Sequence, residues 1–200
     1  MKESLGPRTI GFPTPVFIVG SYDDEGKPNI MNAAAAGMCC FVPPCIYVSL
    51  RQATYTYHNI MKRNAFTVSI PPEKYVEEAD YLGLASGKKT DKFKVSGLTP
   101  VKSKLVDAPY VNEFPVVLEC KLKETVNLGS HTMFIGEVLD LKANEEVLID
   151  ITSKSGKKLS RIDPKKFLPI IFDMSTRNYY IPGKKIGNGF SDGSKLLKNK

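Results

Sequence analysis

Polar side chains able to bind or transform a ligand are scattered along the 200-residue chain. Asn29 ends a DDEGKPN turn and Asn32 follows it, Arg51 precedes Thr54 and Thr56, Ser86 opens a lysine-rich run ending at Lys92, and His131 stands alone. A guanidinium, ammonium groups and neighbouring hydroxyls together suit an anion, because charged donors make the stronger hydrogen bonds and hydroxyls fill the remaining directions. Each group also has an ordinary structural reading: Thr54 suits the cap of a helix it precedes, Lys92 a surface ammonium, and a lone histidine a place in a strand. Familiar phosphate loops are absent. Gly83 to Thr90 reads GLASGKKT, with its glycines one residue too close and two lysines before the threonine, so it departs from the G-x-x-x-x-G-K-[ST] pattern. No G-x-G-x-x-G follows a strand, and neither G-x-S-x-G nor H-E-x-x-H occurs.

The thiols come next. Cys39 and Cys40 directly follow the alanine run Ala33 to Ala36, Cys45 lies five residues further on, and Cys120 is remote. Four cysteines in a chain of this length do not make a disulfide scaffold, and reduced thiols in the cytoplasm are expected. No C-x-x-C occurs and both histidines are isolated, so no metal site is expected. If Cys39 and Cys40 lie on a strand, they project to opposite faces and one of them enters the core.

The net charge of +7 raises the question of a polyanion. Much of the excess lies in Lys154 to Lys166 and Lys184 to Lys200, without a run of interleaved aromatics, which favours a solvated surface and basic tail over a nucleic-acid groove. The longest apolar stretch, Ile30 to Leu50, is interrupted by Asn32 and Pro43-Pro44 and falls short of a spanning helix. No signal-peptide pattern opens the chain. No membrane partner is expected.

These groups require a frame. The 42% hydrophobic content supports one domain over residues 1–200. Strands are predicted over Pro15 to Tyr22, Cys45 to Arg51 and Ala65 to Ile70, where β-branched and aromatic residues are bounded by Gly, Pro and Asp. A long strand over Pro115 to Leu128 and its antiparallel partner over His131 to Ala143 are predicted around a turn at Gly129-Ser130. Helices are predicted over Thr54 to Asn64, with Tyr57, Ile60 and Met61 on one face, and over Pro72 to Ser86. Many strands with few short helices imply a mainly β, antiparallel barrel. Residues 144–161 turn polar and read as an excursion, and residues 183–200 as a basic tail.

The ordered segments PTPVFIVGSYDDEGKPNIMNAAAAGMCC, PPCIYVSLRQATYTYHNI, SGKKTDKF with GLTPV, DAPYVNEFPVVLEC and HTMFIGEV resemble the flavin reductase-like proteins with an FMN-binding split barrel, flavoredoxins among them. The resemblance implies a Greek-key-like split β-barrel and FMN in a groove completed by a second copy of the chain. Arg51, Thr54, Thr56 and Lys92 would then serve the phosphate and ribityl chain, with Asn29, Asn32 and the backbone of Ala33, Ala34 and Ala35 near the ring. Cys39, Ser49 and Ser86 complete the implied cofactor contacts, and His131 is the implied polar contact to flavin or nicotinamide. Small residues would let a flat ring approach the main chain. Flavoredoxins tend to carry a tryptophan at the position matching Ala35, whereas this chain has no tryptophan; a second aromatic of the family pattern, near the C-terminus, falls on Ile170, for which Tyr179 or Tyr180 would substitute.

The activity implied is an FMN-dependent oxidoreductase moving electrons from NAD(P)H or a protein donor to flavin, a metal ion or a redox partner. The alternatives are a flavin-binding electron carrier and, from charge alone, a polyanion-binding module. A homodimer is expected, with Phe41 to Pro44 and Ala108 to Phe114 as contacts.

Overall fold

The computed structural model describes residues 1–152 and 156–197. Five strands open the fold: β1 (Thr14–Pro15), β2 (Phe17–Tyr22), β3 (Pro28–Ala33), β4 (Ala36–Phe41) and β5 (Pro44–Arg51). Helix α1 (Tyr55–Arg63) and strand β6 (Ala65–Ile70) follow, then helices α2 (Val76–Leu84) and α3 (Lys92–Ser96). Strands β7 (Pro100–Lys102), β8 (Pro109–Val111), β9 (Val116–Asn127) and β10 (His131–Ala143) lead to β11 (Leu148–Thr152), β12 (Lys158–Ile162), β13 (Ile171–Asp173), β14 (Asn178–Tyr180) and the short helix α4 (Ser194–Leu197).

One antiparallel sheet has the order β3-β2-β6-β9-β10-β5-β4. Its two edge strands are consecutive in sequence and joined only by Ala34 and Ala35. Laid flat, seven strands would hold those edges about 29 Å apart, whereas the short link reaches only about 11 Å. The sheet must therefore roll until its edges meet, and the alanine run is the seam. Ala33 and Ala36 are buried there among Val48, Leu50 and Phe134. Bulk would keep the edges apart.

Both faces of β2 are buried because two cores form. Val19 points into the barrel with Ile46, Phe66, Leu118 and Phe134, while Ile18 faces outward under α2 and α3 with Ala79, Leu82 and Phe93. The second core explains why β2 lacks the polar alternation of a half-exposed strand. Strand β8 crosses close to β2: a Cβ on Gly20 would lie 2.0 Å from the Pro109 carbonyl oxygen, and the Thr67 hydroxyl donates to that oxygen at 2.6 Å.

Several expectations are revised. Strands β3 and β4 lie in the alanine- and cysteine-rich stretch, where no alternation marks a strand. The helix expected over Pro72 to Ser86 starts as a 3₁₀ turn at Glu73–Tyr75 and becomes α-helical only at Val76. Met61 is exposed, and α1 instead buries Thr56, Asn59 and Ile60. Its two buried polar side chains are paired: the Asn59 amide donates to Ser21 Oγ at 3.0 Å, and the Thr56 hydroxyl accepts from Asn29 at 3.0 Å. Within residues 144–161, β11 and β12 pair as a hairpin and Val147 is buried; the excursion's residues 153–155 lie outside the described residues. Segment Ala108 to Phe114 is spent within the protomer, since Ala108, Val111 and Phe114 are buried. Phe41 and Val42 remain 86% and 89% exposed.

The thiols are also placed differently from expectation. A bulge between Met38 and Cys40 interrupts the β4 register, and Cys39 is exposed while Cys40 is half-buried. Neither enters the core because the bulge cancels simple alternation. Cys45 and Cys120 are the buried thiols.

Candidate functional site

A cavity of about 580 Å³ opens where the end of β5, the start of α1, the loop after α2 and the β9–β10 turn converge. Its size lies within the range of roughly 300 to 1,000 Å³ that suits a small ligand. Arg51, Thr54, Thr56, Ser86 and Lys92 all line it, although they are separated by up to 41 positions. No carboxylate is among the residues lining this cavity.

Local structure explains the convergence. The Arg51 carbonyl accepts from both the Thr54 backbone N–H, at 3.0 Å, and its hydroxyl, at 2.8 Å, which fixes the turn leaving β5. Thr54 is then the cap of α1, accepting from the Tyr57 N–H at 3.4 Å. Tyr55 and Thr56 in the first turn also line the cavity, and that turn carries no acidic residue. The positive end of a nine-residue helix thus faces the space that Arg51 borders.

Lys92 is only 5% exposed, and its Nζ donates to the Leu82 carbonyl oxygen at 2.7 Å. Burial pushes its pKa down to about 8. An anion in the cavity would oppose that shift by stabilising the ammonium. The Thr56 hydroxyl, by accepting the Asn29 amide, keeps its own proton available as a donor. Gly87 matters for another reason: a Cβ there would sit 2.1 Å from Asn29 Oδ1 and 2.8 Å from Tyr55 Cδ1, so the loop after α2 closes against α1 only without a side chain.

The other expected residues do not line this cavity. Asn29 and Asn32 stand behind it as supports, Asn29 on Thr56 and Asn32 on the Ala79 carbonyl at 2.8 Å. Ala33 is in the barrel core. Ala34 and Ala35 form the seam, and the Ala35 carbonyl accepts from the Ser49 N–H at 2.8 Å. Cys39 is exposed on β4. His131 pairs across the sheet with Arg51, and its Nδ1 is 2.9 Å from Ser130 Oγ, so it flanks the cavity beside Gly129 and Ser130, which do line it. Tyr179 donates its hydroxyl to Asp80 at 2.8 Å and Tyr180 packs edge-on with Phe12; neither reaches this cavity.

Sequence reasoning missed Tyr55, Gly87, Gly129 and Ser130 as lining residues. Gly87 lies inside the SGKKT segment that fails as a P-loop, and Gly129-Ser130 is the predicted hairpin turn. The second was legible as a turn but not as a wall, and the first as neither.

The ensemble, two cations with hydroxyls and a helix N-terminus, fits a phosphate-bearing ligand with a polar chain. Known proteins share the fold. The flavoredoxin of Desulfovibrio vulgaris (Miyazaki F) is 50% identical and superposes with a TM-score of 0.87, over 96% of this chain and 100% of that one. The flavoredoxin from Methanosarcina acetivorans is 27% identical with a TM-score of 0.86, over 98% of this chain and 100% of the other. An uncharacterised protein of Archaeoglobus fulgidus is 34% identical over 113 residues, which is 56% of this chain and 64% of that protein. Residues 9–157 match the family described as flavin reductase like domain. The chain, a split barrel of antiparallel strands with few short helices, belongs to the flavin reductase-like family.

Proposed function

We propose that the chain is an FMN-dependent oxidoreductase of flavoredoxin or flavin reductase type. The observation that carries this reading is the cavity in which Arg51, Lys92 and the start of α1 meet without a carboxylate. Bound FMN would supply the redox chemistry, accepting a hydride from NAD(P)H or electrons from a protein donor for delivery to flavin, a metal ion or a redox partner. The chain's own residues bind and orient. Arg51 and Lys92 hold the phosphate with charge-assisted bonds, and Thr54, Thr56 and Ser86 meet the phosphate and ribityl oxygens. Asn29 keeps Thr56 oriented, and Gly87 lets the wall close. His131, beside the cavity mouth, offers a polar contact to flavin or nicotinamide. No protein acid or base is required for hydride delivery to a flavin.

The active unit in this reading is a homodimer in which a second copy covers Phe41 and Val42, the exposed apolar tip of the β4–β5 hairpin. The decisive experiment is the visible spectrum of the purified protein followed by anaerobic mixing with NADH or NADPH. A yellow protein bleached rapidly by either nucleotide supports the oxidoreductase. A colourless protein that cannot be loaded with FMN sinks it. The flavoredoxin name of the half-identical relative favours a second reading, an electron carrier. Bleaching by dithionite or a redox protein but by neither nucleotide would select that reading.

A further inference from the structure

The chain's thiols gather at the end of β5 opposite the cavity. Cys45 is the second residue of that strand and Arg51 its last, six residues and about 20 Å away. The bulge between Met38 and Cys40 decides which thiols meet. Met38 pairs with Ile46, so an unbroken register would set Cys39 against Cys45; instead Cys39 is the extra residue and Cys40 stands opposite Cys45. Directly opposed residues of an antiparallel pair have Cα atoms about 4.5 to 5.5 Å apart, inside the 4.4 to 6.8 Å range usual for a disulfide. Their side chains share one face.

The surroundings support a reactive pair. Cys40 is half-buried and Cys45 buried, so one sulfur meets solvent and the other waits behind it. Burial raises the pKa of Cys45 and the neighbouring Cys40 thiol adds to that rise, while the nearby Lys123 ammonium opposes it. Phe41, next in the chain, projects to the other face of the hairpin. An apolar contact made by Phe41 therefore need not cover the thiols.

We propose that Cys40 and Cys45 are a reversible thiol–disulfide site that reacts with small-molecule disulfides. The Cys40 thiolate attacks one sulfur of the reagent, its S–S bond breaks, and one thiolate leaves, giving a mixed disulfide on Cys40. Cys45 then gives its proton to water and attacks the Cys40 sulfur, expelling the second thiolate. Two protein thiols are oxidised and one reagent disulfide becomes two thiols. The exchange needs no contact with the cavity and stands apart from the flavin reading.

Oxidised glutathione added to the native full-length protein, followed by alkylation and mass spectrometry, tests the assignment. The expected product has lost two of its four thiols and two hydrogens in mass, with no retained glutathione. Chymotryptic cleavage after Phe41 separates Cys40 from Cys45, so their peptides stay joined only through the new bond. Cys39→Ser should give the same linkage, whereas Cys45→Ser should trap glutathione on Cys40. Linkage through Cys39, a disulfide between two chains, or four unreacted thiols would overturn the proposal.

Discussion

Lys92 illustrates how one side chain can cost the fold and serve the ligand. Its ammonium is buried against the Leu82 carbonyl oxygen, and its pKa stands at about 8 against an ordinary 10.5. Between those values the folded protein binds fewer protons than the unfolded chain, so this residue makes stability rise with pH. Below about 8 its penalty is fully present, on the order of 3 kcal/mol. Thermal melts of the flavin-free protein from pH 7 to 10.5 should show this rise in wild type and lose it in Lys92→Met. An equal slope in both proteins would refute the assignment. FMN affinity should fall over the same range in wild type as the ammonium is lost, and be nearly flat in the variant. Arg51 acts by direct charge, so Arg51→Ala should weaken FMN at least about tenfold, since charge-assisted bonds are worth roughly 1.5 to 3 kcal/mol. Riboflavin, lacking the phosphate, should be little affected; equal losses for both ligands by fluorescence titration would remove Arg51 from the phosphate site.

Among the elements, the approach of β8 to β2 is the least forgiving. Gly20 admits the Pro109 carbonyl at a distance that no Cβ tolerates, and the obstacle is backbone, which cannot rotate aside. Gly20→Ala should therefore cost roughly 3 kcal/mol or more. For a chain of this size that corresponds to a fall of about 6 to 12 °C in Tm. Calorimetry showing less than about 2 °C of change would mean that β8 moves away freely. Helix α1 is held at its other side by the same region: Tyr55 donates to Asp23 Oδ2 at 2.8 Å, and Asp23 Oδ1 accepts from the Glu25 and Lys27 N–H groups. The turn after β2 thus steadies the helix whose first turn faces the cavity.

At the scale of the molecule, two exposed apolar side chains at a hairpin tip are the main unpaid surface. Phe41 and Val42 belong to β4 and its turn, at the edge of the seven-stranded sheet, where an uncovered strand is a template for association. A second copy would cover both side chains. Sedimentation should find a dimer at micromolar concentration and a monomer for Val42→Glu, with circular dichroism unchanged. A wild-type monomer that binds FMN normally would argue against the dimer. Among the described residues, no helix is long and apolar enough to cross a membrane.

Local chemistry determined much of this protein. The long β9–β10 pair, β6 and α1 were legible because their periodicity and punctuating turns act within a few residues. His131–Ala143 and Ala65–Ile70 are placed as the pattern predicts. Five of the residues that line the cavity, Arg51, Thr54, Thr56, Ser86 and Lys92, were legible too, and the ordered segments identified the family. Distance in space was not. Only tertiary structure brings Lys92 and Ser86 to the end of β5, because the loop after α2 packs against α1 at Gly87. Only the rolled sheet explains Ala33 to Ala36, whose small side chains let edges at opposite ends of one sheet meet. Likewise the bulge in β4, invisible in composition, hands the Cys45 partnership from Cys39 to Cys40. Periodicity is a property of one segment; seams, walls and registers arise between segments, where the burial of the whole core decides which one is kept.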